Sequence, residues 1–228
     1  MPRLPGDPPV EITLRRSARA RRLSLRVSRL DGRVTLSVPL SAREAEAMAF
    51  LRAQESWIRQ ALAGLSQGAV VGIGSVLPVE GRLLTLHPGT GRTPRIEGDS
   101  LLLPGDPARA GARAAAFLKL RARDRLAVAC DAYAALIGRR YRHLTLRDTR
   151  SRWGSCTAEA GLMFSWRLIL APPEVLDYVA AHEVAHLAEM NHSPAFWAVV
   201  AALMPDYKPQ RRWLKSEGHA LHGYRFVD

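Results

Sequence analysis

The sequence has two cysteines, Cys130 and Cys156, in 228 residues. Two are too few for a disulfide framework, and no Cys-x-x-Cys pair is present to suggest a cysteine zinc site. A reducing cytoplasm is the expected compartment. No apolar core follows Met1-Pro2-Arg3-Leu4-Pro5-Gly6, so a secretory signal is not expected. Long apolar runs are missing as well. The longest uncharged stretch, Gln60 to Val79, is broken by Gly64, Gly68, Gly72, Gly74 and Pro78. It reads as a linker followed by a strand, and no membrane span is predicted. Lysine occurs only at positions 119, 208 and 215, yet 33 basic residues outnumber 21 acidic ones.

What remains is a globular composition. Hydrophobic residues make up 47% of the chain, enough for a real core, and charged residues make up 24%, the ordinary level. The net charge of +12 is unevenly distributed. Residues 1–40 carry nine arginines against Asp7, Glu11 and Asp31, and residues 107–150 carry eleven basic residues against Asp124, Asp131 and Asp148. Residues 151–192 are mildly acidic. Such a field attracts polyanions, which makes DNA or another nucleic acid a candidate partner; an arginine-rich compositional bias is the competing explanation.

Along the chain, residues 1–9 are proline-rich and expected to fray. Alternating runs at Glu11–Leu14, Leu23–Val27 and Val34–Val38 predict strands, with Asp31-Gly32 as a hairpin turn. Ser41 and Glu44 form a capping-box pattern for a helix to about Leu62, burying Ala45, Met48, Phe50, Leu51 and Ile58. Short strands follow around 76–79, 82–87, 95–97 and 101–103. Pro104-Gly105-Asp106-Pro107 marks the expected boundary between a β-rich N-terminal region, 1–105, and a second domain, 106–228. That domain opens with a helix over 108–137 ended by Gly138. Strands are predicted at 143–148 and 162–170, and a helix from Pro173 to about Met190. Ser193-Pro194 starts another helix, and a last one spans about 209–217.

The chemistry sits in His182-Glu183-Val184-Ala185-His186. Residues four apart on a helix project from one face, so His182 and His186 can bind one Zn²⁺ from neighbouring turns. Glu183, about 100° around the axis, reaches a water on the metal rather than the metal itself. Zinc acidifies that water and polarises a carbonyl, and the carboxylate accepts the proton and passes it to the departing amine. Catalytic zinc needs a third protein ligand. His192 follows Asn191, a residue that tolerates the left-handed conformation ending a helix, and a chain reversal there returns His192 to the pair. Glu217 is the competing ligand. His87, His143, His219 and His222 have no ligand-like spacing and read as structural or exposed. Trp153, Trp166, Trp197 and Trp213 read as core. Cys156 has no base near it in sequence, which argues against a thiol nucleophile. Arg152 and Tyr207 are candidates to stabilise a developing oxyanion.

Ser151-Arg152-Trp153-Gly154-Ser155-Cys156, Asp177-Tyr178-Val179, the histidine segment through Leu187, and Asn191-His192-Ser193-Pro194-Ala195-Phe196-Trp197 occur in that order. Together they resemble the YgjP-like metallopeptidase family, which is similar to the SprT-like and WLM zinc peptidases. The resemblance implies an α+β, zincin-like metallopeptidase domain, with an active-site helix against a small antiparallel or mixed sheet. It also implies one Zn²⁺ per chain on His182, His186 and His192, Glu183 as the base, and a polypeptide substrate. Relatives in the SprT-like and WLM groups cleave proteins attached to DNA, which connects the basic surface to a nucleic-acid-associated substrate. By analogy the Arg152-Trp153-Gly154 strand lies near the cleft, where it either pairs with an extended substrate or supports the helix. Two rivals stay open: a nucleic-acid-binding accessory protein with a structural zinc site, and a zinc amidohydrolase acting on a non-peptide amide.

Overall fold

The computed structural model describes residues 3–28, 32–63 and 68–227. The chain divides into two compact units, Met1–Gln67 and Gly68–Asp228. The first is a four-stranded mixed sheet carrying two helices. Its strands are β1 (Arg3–Leu4), β2 (Val10–Ser17), β3 (Ser24–Val27) and β4 (Val34–Pro39), in the order β1-β2-β4-β3. Strand β2 runs parallel to β4, while β3 and β4 form the expected antiparallel hairpin; Asp31 of its turn lies outside the described residues. Alternation decides the buried face: Val34, Leu36 and Val38 join Ile12 beneath α1 (Glu44–Ala53) and α2 (Glu55–Ala63).

Three local expectations change here. Residues 3–9, within the segment expected to fray, are tied down. Leu4 is buried, and the Arg59 guanidinium, paired with Glu55 at 2.9 Å, donates to the carbonyls of Pro5 (2.7 Å) and Pro8 (3.1 Å). The helix predicted over 41–62 is two helices that break at Gln54, and they bury Ala47, Leu51 and Ile58 while Ala45 stays exposed. Its N-terminal carboxylate is Glu46, which accepts the Arg43 backbone N–H at 3.2 Å, so the cap lies two residues beyond Ser41 and Glu44.

The second unit begins well before residue 106. Strands β6 (Val76–Val79), β7 (Arg82–Gly89), β8 (Arg95–Glu97) and β9 (Ser100–Pro104) form a sheet in the order β6-β7-β9-β8. Leu77, Leu84, Leu86 and Leu101 share one core with Ala114, Leu118, Phe164 and Val184. The β6–β7 turn adds polar contacts. Both of its central residues, Glu80 and Gly81, have positive φ, the pairing a tight hairpin requires. Glu80 N–H bonds the Ile169 carbonyl at 2.9 Å, and its carboxylate pairs with Arg121 and, at 3.0 Å, with Arg125. The boundary read at Pro104–Pro107 is therefore a turn inside a unit, and the division falls at Gln67/Gly68. Gly64, in the expected linker, lies outside the described residues.

Helix α3 (Ala110–Leu136) crosses this core and ends at Gly138, whose φ of 62° is the left-handed stop expected of glycine. Next come β10 (His143–Arg147), β11 (Gly154–Cys156) and β12 (Gly161–Ser165), in the order β10-β12-β11. The strand expected to reach Leu170 stops at Ser165, and Trp166–Leu170 is a buried 3₁₀ turn. An apolar run buried on every side has no periodicity to distinguish strand from helix. Helices α4 (Pro173–Ala185), α5 (Pro194–Leu203) and α6 (Tyr207–Ser216) follow. The last strand, β13 (Tyr224–Arg225), pairs in parallel with β5 (Ala69–Val70). Among the described residues no helix is long and apolar enough to cross a membrane.

Arg167 fixes the C-terminal segment. It is 7% exposed, forms a two-pronged pair with Asp148 (2.6 and 3.1 Å), and donates to the carbonyls of Leu221 (3.0 Å) and Tyr224 (2.9 Å). Burial alone would raise the Asp148 pKa, but the hydrogen bonds and charge of Arg167, with His222 and Arg150, hold it below the usual range. Arg167→Met strands two carbonyls and a carboxylate, so urea unfolding should show a loss of roughly 2–3 kcal/mol. In the unaltered protein the Asp148 contribution is complete above the unfolded carboxylate pKa of about 4 and is lost as pH falls through the lower folded value. The variant should lack that acid-side decline.

Candidate metal centre

Helix α4 is largely apolar after Glu174 and Asp177 in its first half, and its C-terminal end carries His182 and Glu183, with His186 as the cap. Val179, Ala180, Ala181, Val184 and Ala185 are buried around His182, Glu183 and His186. The α-helix stops at His186, one turn short of the expected Met190, and three turn-type hydrogen bonds carry the chain to Glu189. The stop has a local cause: the Glu189 carbonyl folds back to lie 3.0 Å from His186 Nδ1. With Nδ1 as the donor, Nε2 keeps the lone pair a metal requires.

The reversal that returns His192 is built differently from the expectation. Asn191 is not left-handed. Its side-chain Oδ1 accepts the Ser193 N–H at 3.0 Å, and the Ser193 hydroxyl accepts the Phe196 N–H at 3.3 Å to cap α5. Pro194 occupies the first helical turn, where its missing N–H costs nothing. The result places His192 Nε2 3.1 Å from His182 Nε2, and the ligating atoms of all three histidines lie within 4.8 Å of one another. Glu217 is outside this cluster, exposed at the end of α6.

Phe196 is fully buried behind the cluster, stacked on His186 (4.4 Å, 28°) and edge-on to His182 and His192. Trp197 stacks on His192, Tyr207 stacks on both Trp197 and Tyr178, and the Arg211 guanidinium lies 4.3 Å from the Trp197 ring. Burial, with the neighbouring histidines and Arg211, pushes His182 down to about 3; burial also lowers His186. Both rings are therefore neutral at physiological pH, the form that ligates metal.

The arrangement fits a zinc ion. Nitrogens on one tetrahedral zinc lie roughly 3.4 Å apart, given bonds of about 2.1 Å. The two facing Nε2 atoms, with at most one proton between them, are close to that spacing. Imidazole donors without a carboxylate suit zinc better than magnesium or calcium.

Glu183 is 6% exposed, and burial pushes its carboxyl up to about 8 against the opposing pull of Arg152. Its nearest wall is backbone. A Cβ built on Gly154 would sit 2.6 Å from both Glu183 Cγ and Oε1. Gly154 opens β11, the outer strand of its sheet, so among the described residues one edge of that strand is unpaired. A cleft of about 230 Å³ adjoins it, bounded by Trp153, Tyr178, Val179, His182, Glu183 and Leu214.

Of the two oxyanion candidates, Arg152 is exposed at the start of β11, and Tyr207 is buried in the aromatic stack. Cys156 is half-buried, its thiol pushed up to about 11 by burial and by Glu183, which leaves it unreactive. Sequence reasoning missed two supports of the site. Gly154 carried a signal, a glycine inside a predicted strand, which often marks a close approach of backbone. His222 carried none: it stacks on Trp153 at 5.0 Å from the C-terminal segment.

The sequence model of one protein family, the YgjP-like metallopeptidase domain, matches residues 21–217 of this chain. No curated protein matches it by sequence. Among solved structures, the metallopeptidase zymogen of Pyrococcus abyssi abylysin aligns at 17% identity with a TM-score of 0.37, covering 41% of this chain and 95% of that one.

The packing of Glu183 against Gly154 is directly testable. Gly154→Ala forces the carboxylate or the strand to move, and such overpacking typically costs about 1–3 kcal/mol. Chemical denaturation should register that loss, and wild-type stability in the variant would refute the contact.

Proposed function

The chain belongs to the YgjP-like metallopeptidase family, and from that premise we propose that it is a zinc-dependent peptidase with one zinc ion per chain. His182, His186 and His192 hold the metal, and Glu183 is the general base. The observation that supports this best is the convergence of three imidazoles beside a buried carboxyl that has no competing ion-pair partner among the described residues. Bound zinc supplies Lewis acidity, polarising a carbonyl and acidifying water.

The remaining work falls to the chain. Glu183 takes the proton of the attacking water and delivers it to the leaving amine nitrogen. Burial gives this carboxyl a proton affinity near neutral pH, the range in which one group can both accept and donate. Gly154 keeps Glu183 in position and excludes water from one side. The unpaired edge of β11 offers backbone N–H and C=O groups to an extended polypeptide, which aligns the substrate as an added strand. The unpaired cysteines suit a reducing cytoplasm.

One panel tests metal and base together. His182→Ala, His186→Ala and His192→Ala should each lower zinc content strongly in elemental analysis, while Glu217→Ala keeps it. Glu183→Gln should retain zinc and lose at least ~10²-fold in hydrolysis. Full activity in that variant removes Glu183 from the mechanism, and full zinc in His192→Ala removes the third ligand.

A second reading concerns partners: the substrate is a protein associated with nucleic acid. It is favoured by Arg15, Arg19, Arg21, Arg22 and Arg26, which are all exposed on the first unit without an acidic partner among the described residues. DNA affinity should then fall with salt at about −0.9 log units per log unit for each duplex phosphate contact. Neutralising arginines 15, 16, 19, 21 and 22 should flatten that slope without changing zinc content. Absence of binding at ~50 mM salt ends this reading.

A further inference from the structure

The two ends of β11 open onto chemically different spaces. The cleft at the Trp153 end is aromatic and aliphatic, apart from His182 and Glu183 themselves. At the Thr157 end a larger groove, about 420 Å³, runs from His186, Leu187 and Met190 to Arg139 and Arg140. Among the described residues no acidic one lines it.

These two arginines owe their position to the end of α3. Gly138 turns the chain in the left-handed conformation, its N–H bonding Ala135, and the Arg139 N–H then bonds the Ala134 carbonyl at 3.0 Å. Both guanidinium groups are exposed, and neither has a carboxylate or carbonyl partner among the described residues. Two of the acids nearby, Asp131 and Glu159, are already engaged. Asp131 accepts the Tyr141 hydroxyl at 2.6 Å, and Glu159 is held below its usual range by its own backbone N–H, the Thr157 hydroxyl and Arg142. Two exposed arginines elsewhere would be ordinary solvated surface. These wall a groove that reaches from a candidate metal ligand, His186, to Thr157, the residue that follows β11.

We infer that this groove binds an acidic side chain of the substrate close to the scissile bond, and that Arg139 and Arg140 select Asp or Glu at that position. The guanidinium fork matches a carboxylate in geometry and charge, and a lysine in the same place meets two unpaired cations. The inference rests on the peptidase reading above and names its substrate class.

Peptides that differ at one position at a time, carrying Asp, Glu, Gln or Lys on either side of the cleaved bond, test it with the zinc-loaded enzyme. At one position on one side, kcat/KM should favour Asp or Glu over Lys by roughly ten-fold or more, the scale of a charge-assisted hydrogen bond. The double variant R139E/R140E should reverse that ratio, with a thermal melt confirming that it is folded. A ratio unchanged by the variant, or no acidic preference in the unaltered enzyme, overturns the assignment.

Binding separates this failure from that of the underlying reading. Zinc-loaded Glu183→Gln should bind a fluorescent acidic peptide more tightly than its lysine counterpart, and adding R139E/R140E should abolish the difference. That binding difference without any cleavage by the unaltered enzyme would keep the groove and sink the peptidase reading. Cleavage without acidic preference would do the opposite. If a single-stranded oligonucleotide displaces the acidic peptide from the groove while the peptide itself shows no acid-over-lysine difference, the arginines serve phosphate and the assignment fails.

Discussion

A carboxyl and two imidazoles have to be held inside the apolar packing of one helix, and most of the second unit is arranged to meet that demand. A buried ionisable group without support costs several kcal/mol or changes protonation. Here the support is specific to each group. His186 gains the Glu189 carbonyl, Phe196 covers the back of all three rings, and Glu183 lies against a strand whose first residue has no side chain. The costly groups are also those to which the chemistry is assigned, as expected where a structure retains polar residues at sites that packing alone would fill with leucine.

The surrounding layers hold that helix still. Helix α3, β11, α5, α6 and the Trp166–Leu170 turn all contact α4. The turn is anchored from two directions: Ile169 receives Glu80 from the first sheet of the unit, and Arg167 gathers the carbonyls of the C-terminal segment. That segment returns to the cleft through His222 on Trp153, and Gly218 lies against the same indole. The aromatic wall of the cleft is thus set by residues far from the candidate metal ligands in sequence.

Much of the site could be read from the sequence because its parts are close together in the chain. The four-residue spacing of His182 and His186 and the Ser193-Pro194 helix start are local facts, and local geometry brings them together. The α+β class and most of the longer strands were legible for the same reason. The boundary at residues 104–107 was misplaced because punctuation by Pro and Gly marks turns and does not report which leucines share a core. The break at Gln54 has no Gly or Pro to announce it. Reversal at His192 was anticipated, but through a backbone conformation of Asn191 that the structure replaces with a side-chain hydrogen bond. Gly154 meets Glu183 across nearly thirty positions, and Arg139 reaches the groove beside His186 only through the packing of α3 on α4. Such contacts leave no periodic trace.

The pairing of β5 with β13 bears on how the molecule is made. Residues 69–70 wait for 224–225, roughly 155 positions later, before their sheet can form. At ribosomal rates of about 5–20 residues per second, that interval is roughly 10–30 s. Within it Arg167, once made, lacks the Leu221 and Tyr224 carbonyls, and Trp153 lacks His222. The cleft beside Glu183 therefore has no finished wall until residues 221–225 have been made.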